Sequence, residues 1–218
     1  MIKSYVLRAG RFTDAQRKAY DTLAGTFIVP FEEEQICFEK IFGNAGAVTA
    51  EIGFGMGIGT ADIAEANPEK NYLGIEVHRP GIGRLLWEIE KRSLSNIRII
   101  EHDAVEVMEQ MIPPGSLEAI HIFFPDPWPK KRHHKRRLIQ RPFTETLAKR
   151  LRPGGYLYMV TDWEDYGSHA LAELTFTARL RNAYEGFASP QSWRPRTKFE
   201  QKGLAKNLAV RELYFLAE

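Results

Sequence analysis

With one cysteine, Cys37, in 218 residues, the chain can form no disulfide framework and no cysteine-rich zinc site. Its six histidines, His78, His102, His121, His133, His134 and His169, show no HExxH spacing, so no metal is expected. Long apolar runs are missing too. Among the longest is Ile120 to Pro125, far short of the roughly 18 residues a membrane helix needs, which excludes an integral membrane protein of the helical kind. No internal repeat or low-complexity window occurs, and the 12 prolines and 17 glycines are spread along the chain, which argues against a solenoid or a disordered polymer. Before Arg8 and Arg11 there is no continuous apolar stretch, so the N-terminus does not read as a signal peptide. Together with the lone thiol, this predicts a cytoplasmic protein.

An excess of one charge is also lacking, since the formal net charge is only +2. That balance hides a strong division. Residues 130 to 141 hold seven Lys or Arg and no acid, and residues 194 to 211 hold six against the single Glu200. The rest of the chain has 17 basic and 27 acidic side chains, a net charge of −10. An acidic body with two basic patches suits a polyanion held at one place and repelled elsewhere, although charge runs are also common as solvated faces.

Thr13-Asp14-Ala15-Gln16 fits the capping box that opens a helix. Residues 1 to 35 therefore read as an arm and helix, made basic by Lys3, Arg8, Arg11, Arg17 and Lys18, and residues 36 to 218 as the main domain. There, short apolar runs alternate with amphipathic segments, as in parallel strands linked by helices. Strands are expected at 47 to 52, 71 to 76, 97 to 101, 117 to 124 and 155 to 161. Helices are expected near 58 to 66, 81 to 94, 104 to 111 and 137 to 150, another after Asp165, and a terminal strand at 208 to 216. Asn67-Pro68 and Arg152-Pro153-Gly154-Gly155 read as helix stops. The pattern is that of a doubly wound α/β domain.

Glu51, Glu76, Asp103, Asp126 and Asp162 each stand at or just past the C-terminal end of a predicted strand, the edge where open α/β sheets bind ligands. Such acids would repel a polyphosphate and suit a ligand bearing hydroxyls, amines and positive charge; any one of them can instead cap a helix. Between Glu51 and Thr60 lies Ile52-Gly53-Phe54-Gly55-Met56-Gly57-Ile58-Gly59, a loop whose backbone can approach a ligand closely, with Gly53 and Gly55 as the contact candidates. Ile58 and Thr60 stand where a nicotinamide fingerprint needs glycine. Glu76, 23 residues beyond Gly53, is placed to accept from ribose hydroxyls. Glycines preceded by an acid favour S-adenosylmethionine, whose sulfonium is cationic and which carries no phosphate.

After the fourth strand comes Phe123-Phe124-Pro125-Asp126-Pro127-Trp128-Pro129-Lys130-Lys131-Arg132-His133-His134-Lys135-Arg136-Arg137. Its alternating prolines predict extended conformations at Phe124, Asp126 and Trp128 and a stiff loop that presents Asp126 and Trp128 to a base. A rigid edge loop with its Trp on the core would read the same way. The cations that follow suit nucleic-acid phosphates.

On these segments, together with Glu76-Val77-His78-Arg79-Pro80-Gly81 and Thr197-Lys198-Phe199-Glu200, the chain resembles the bacterial tRNA (guanine-N7)-methyltransferases over about residues 45 to 215. The proline and basic run is specific to them; the glycine loop is shared by methyltransferases generally. The resemblance implies a Rossmann-like class I methyltransferase fold, mostly parallel with an antiparallel C-terminal strand, and methylation of the variable-loop guanine of tRNA, with S-adenosylhomocysteine as product. It implies that Glu51, Glu76, Asp103 and Asp126 contact S-adenosylmethionine, with Asp126 catalytic. It further implies that Lys130, Asp162, Thr197, Lys198, Phe199 and Glu200 contact the substrate, and that Arg132, His133, His134, Lys135, Arg136 and Arg137 touch RNA. The chain would act as a monomer or homodimer, away from membranes. A methyltransferase for amino groups, with Asp126-Pro127-Trp128 in place of an Asp-Pro-Pro-aromatic motif, and an RNA-binding module without activity are the other classes.

Overall fold

The computed structural model describes residues 3–6, 10, 12–196, 200 and 209–218. The chain divides into two compact units. One comprises Leu7–Pro113 with Trp193–Pro195; the other comprises Met1–Val6, Pro114–Ser192 and Arg196–Glu218. We call them the glycine-loop unit and the proline-loop unit.

The glycine-loop unit opens with α1 (Asp14–Phe27). Its capping box is complete: the Thr13 amide donates to Gln16 Oε1 (2.9 Å) and the Gln16 amide to Thr13 Oγ1 (3.3 Å), an arrangement worth about 1 kcal/mol. There follow α2 (Phe38–Phe42), β1 (Val48–Ile52), α3 (Ile58–Ala66), β2 (Asn71–Glu76), α4 (Arg79–Arg92), β3 (Ile97–Glu101) and a short α5 (Ala104–Glu106) that runs into a π-helical turn over Val107–Met111. The strands are parallel in the order β3-β2-β1. Every residue of β1 is buried, which explains why that strand reads as a continuous run instead of alternating. Leu73, Ile75 and Ile99 with Ile82, Leu85 and Leu86 of α4 are at most 1% exposed, and each such burial stabilises by about 1.5–3 kcal/mol, more than the cap. The stop expected at Asn67 is present, and Asn96 completes it by donating to the carbonyls of Ala64, Asn67 and Lys70.

The proline-loop unit contains β4 (Leu117–Phe123), a 3-10 turn over Lys131–Arg136, α6 (Phe143–Arg150), β5 (Leu151–Thr161), α7 (Glu164–Thr175), β6 (Leu180–Asn182) and β7 (Arg211–Ala217). Its strand order is β4-β5-β7-β6, with β4 and β5 parallel and β7 antiparallel to both of its neighbours. The expected antiparallel terminal strand is therefore present.

Two boundaries differ from the sequence reading by several residues. Helix α6 begins at Phe143, not 137, because proline is tolerated only at a helix start and Pro142 occupies the N-cap. Arg152-Pro153-Gly154-Gly155, expected as a helix stop, instead lies inside β5, which follows α6 directly and in which the register slips between Leu117↔Leu151 and Ala119↔Tyr156; a bulge accommodates a proline without a donor and a left-handed glycine. The elements α2 and β6 are too short to show a period. Among the described residues no helix is long and apolar enough to cross a membrane.

Candidate functional site

In the glycine-loop unit the parallel register sets Ile52 beside Ile75 and Glu76 beside Glu101, so the strands end at one level. Past β1 the chain turns through Gly53 (φ +73°) and Gly55 (φ +58°), a left-handed geometry that disfavours other residues. A Cβ at either glycine would meet nothing within 4 Å, so their backbone faces open space that a ligand can enter. Two contacts hold the loop from behind. The Gly55 amide donates to Glu76 Oε2 (2.9 Å), and Gly81 in the first turn of α4 lies so near that a Cβ there would stand 1.9 Å from the Gly55 carbonyl oxygen. Glu76 Oε1 accepts from the amides of Val77 (2.7 Å) and His78 (3.1 Å). The Glu76 carboxylate thus locks loop and strand together, and Oε2 retains one lone pair for a ligand hydroxyl.

Glu51 is buried, and burial pushes its carboxyl up to about 7; the Thr60 hydroxyl lowers it and the Glu76 charge raises it further. The Thr60 hydroxyl is itself buried and makes no hydrogen bond of normal geometry, so it relieves little of that cost. Asp103 caps α5 by accepting from the Val105 amide (2.9 Å), the helix-capping role open to any acid in this row. Beside it, Glu101 accepts from Tyr20 of α1 and from Arg79 of α4, both at 2.5 Å, which ties the N-terminal helix to the end of β3.

In the proline-loop unit, Phe124 and Trp128 have φ of +50° and +48°, not the extended conformations expected. Proline excludes the right-handed helix from the preceding residue, and tertiary anchors select the left-handed state: the Phe124 amide donates to the Val160 carbonyl (2.8 Å) and the Trp128 indole to the Ser4 carbonyl (3.0 Å). Each bulky residue held there stores about 1–3 kcal/mol, strain that concentrates at functional sites. Between them Asp126 is exposed and has no hydrogen bond among the described residues. Trp128 is half-buried, with the Arg136 guanidinium 4.9 Å over its ring and His133 edge-on at 5.8 Å. Asp162, half-buried, follows β5, and its neighbour Trp163 is 40% exposed.

A family model described as "Putative methyltransferase" matches residues 45–213. A protein of Nitrosomonas europaea, "tRNA (guanine-N(7)-)-methyltransferase", is 51% identical over 98% of this chain and 96% of its own. One of the same description from Paraburkholderia xenovorans is 50% identical over 98% of this chain and 82% of its own. The chain belongs to the tRNA (guanine-N7)-methyltransferase family. The solved 16S rRNA methyltransferase KamB, 13% identical, matches with a TM-score of 0.59 over 97% of this chain and 96% of that one. An antibiotic-related methyltransferase, 19% identical, reaches 0.55 over 90% and 98%. At these identities the likeness shows the fold, which is the expected class I methyltransferase fold.

Of the family-implied RNA contacts, Arg132 and Lys135 are exposed, as is Lys130, implied to contact the substrate, while His133, His134 and Arg136 are half-exposed. Elsewhere Arg79, Arg84, Arg92, Arg141, Arg152 and Arg211 each pair with a carboxylate. Among the described residues, Lys130, Lys131, Arg132, Lys135 and Arg136 have no carboxylate partner. Desolvation and the cations around it lower the His133 pKa. Arg137 departs from the expectation: its side chain is 1% exposed and points inward, as the end of the 3-10 turn directs it under the loop. Glu200 is buried. Thr197, Lys198 and Phe199 lie outside the described residues.

Proposed function

We propose that this chain transfers the methyl group of S-adenosylmethionine to N7 of a variable-loop guanine in tRNA, with S-adenosylhomocysteine as product, in the cytoplasm and without a metal. The observation that carries the reading is the stiff, strained loop that presents an unbonded Asp126 directly before five cations lacking carboxylate partners. The donor set fits the cofactor: the acids suit amines, hydroxyls and a sulfonium, and the open backbone at Gly53 and Gly55 admits close approach. Glu51, Glu76 and Asp103 would hold it. When bound, S-adenosylmethionine supplies a methyl group on a positively charged sulfur.

Guanine N7 has an in-plane lone pair and no proton, so the protein need not supply a general base. The purine ring becomes cationic as N7 gains the methyl carbon, and Asp126 stabilises that charge. Asp162 serves as a second acceptor, and exposed Trp163 beside it offers a surface for a base. Lys130 and the cations from Arg132 to Arg136 hold phosphates; the 197 to 200 segment completes substrate binding. The direct test is incubation with labelled S-adenosylmethionine and unmodified tRNA, then borohydride and aniline, which cleave at N7-methylguanine. Label in tRNA without cleavage would exclude N7 as the acceptor.

Replacing Arg132, Lys135 and Arg136 together is expected to weaken tRNA binding and flatten its salt dependence by about 0.7 to 0.9 log units for each phosphate no longer neutralised. Binding measured across a salt series checks this, and an unchanged slope would make the run a solvated face.

Cofactor binding should depend on pH through Glu51. With its carboxyl at about 7, roughly a tenth is ionised at pH 6 and nine-tenths at pH 8. A cationic ligand favours the ionised form, so affinity is expected to rise about tenfold over that range, with proton release seen by calorimetry in different buffers; Glu51→Gln should abolish the step. The ligand-free chain behaves oppositely. A carboxyl raised from 4.5 to about 7 on folding favours the folded state at low pH, and that contribution is lost as pH rises through about 7.

A further inference from the structure

We infer that Arg137 is a positioning residue for methyl transfer: its guanidinium, sealed under the proline loop, holds Asp126 in place through the Pro127 carbonyl. This rests on the role proposed for Asp126. Asp126 has no hydrogen bond of its own among the described residues, so the loop backbone alone sets its position. Prolines at 125, 127 and 129 remove three amide donors from that backbone. The Phe124 amide and the Trp128 indole anchor the ends of the loop, and at its centre the carbonyl next to Asp126, that of Pro127, accepts from Arg137 Nε at 3.1 Å.

The rest of the guanidinium is also committed. Nη2 pairs with Asp165 in the first turn of α7 and lies 3.2 Å from His134 Nε2, and the group sits 5.1 Å over the Tyr166 ring. One buried cation therefore joins the loop carrying Asp126 to the helix that follows Asp162 and Trp163. The left-handed Phe124 and Trp128 on either side of Asp126 would relax into other states if the centre of the loop came free, since strained backbone persists only where its surroundings over-determine it. Lysine cannot replace this residue: an ammonium on a flexible stem lacks the planar fork that reaches Pro127 and Asp165 together.

The test compares wild type, Arg137→Lys and Asp165→Asn for single-turnover methylation at saturating tRNA and cofactor, tRNA affinity with its salt slope, cofactor affinity and melting temperature. Misplacement of a reacting group by about 1 Å costs on the order of 100-fold. Arg137→Lys is expected to lose rate on that scale with both affinities and the salt slope unchanged. Asp165→Asn, which leaves the bond to Pro127, should lose roughly 3- to 10-fold, a fraction of the full loss. Asp165 is largely exposed, so this variant keeps the inference testable if Arg137→Lys does not fold. Full rate with only a lower melting temperature would make Arg137 a stabilising ion pair and overturn the inference. A weaker, flatter salt dependence at full rate would return it to the RNA contacts. If wild type makes no N7-methylguanine, the proposed function fails; if wild type is active and both variants match it, only the role of Arg137 fails.

Discussion

Asp126→Ala is expected to slow methyl transfer at saturating substrates by about 10²- to 10³-fold, the scale of losing one preorganised electrostatic partner of a developing charge, while tRNA affinity stays within about twofold. The two halves have separate causes. Methylation at N7 places positive charge on the purine, and in the proposed role the Asp126 carboxylate, held by a stiff loop, would meet that charge without reorganising. Phosphate binding is instead proposed to rest on Lys130 to Arg136, and removing a nearby anion cannot weaken attraction for a polyanion. Asp126→Asn, which keeps an acceptor but not the charge, should fall between alanine and wild type. Single-turnover rates and equilibrium binding on the same variants separate the effects. A wild-type rate in Asp126→Ala would remove this residue from the mechanism and leave Asp162 as the stabilising acid.

Gly81→Ala is expected to raise the dissociation constant for S-adenosylmethionine at least about 100-fold, or ~2.7 kcal/mol, with tRNA binding retained. A methyl here would stand 1.9 Å from the carbonyl oxygen and 2.9 Å from the carbonyl carbon of Gly55. Both sides of the clash are backbone, so no rotamer change relieves it, and either α4 or the glycine loop must shift. Shifting the loop breaks the bond from the Gly55 amide to Glu76, and with it the link that fixes the glycine loop to the end of β2. Overpacking of this kind also costs about 1–3 kcal/mol of stability. Calorimetry with S-adenosylhomocysteine, beside a thermal melt, checks both. Unchanged affinity would show that the loop adapts and that Gly81 is not part of what holds it.

How legible these sites were differs residue by residue. The five acids could be placed because short apolar-rich runs mark β1 to β5, with β1 and β2 buried almost throughout, and each acid stands at or just past the end of a run. Asp126 and its cations were conspicuous because prolines and like charges at such density are seldom neutral choices. Gly81 was visible only within a segment resembling a family, since nothing local distinguishes a glycine in a helix's first turn from a weak helix former. Its reason is the carbonyl of Gly55, 26 positions earlier.

By itself the sequence determined the alternation of strands and helices, the capped N-terminal helix, the acid row, the stiffness of the proline loop and the separation of charge, because these depend on periodicity, on proline and glycine geometry and on local density of like charge. Only the tertiary structure decided that Arg137 turns inward while the cations before it stay exposed or half-exposed, and that Glu76 accepts from the Gly55 amide. It alone decided, too, that Phe124 and Trp128 are held left-handed. Each of these is settled by a partner distant in sequence, Asp165 for Arg137, Gly55 for Glu76, Val160 for Phe124 and Ser4 for Trp128, and a charge or a dihedral preference carries no record of the partner that will meet it.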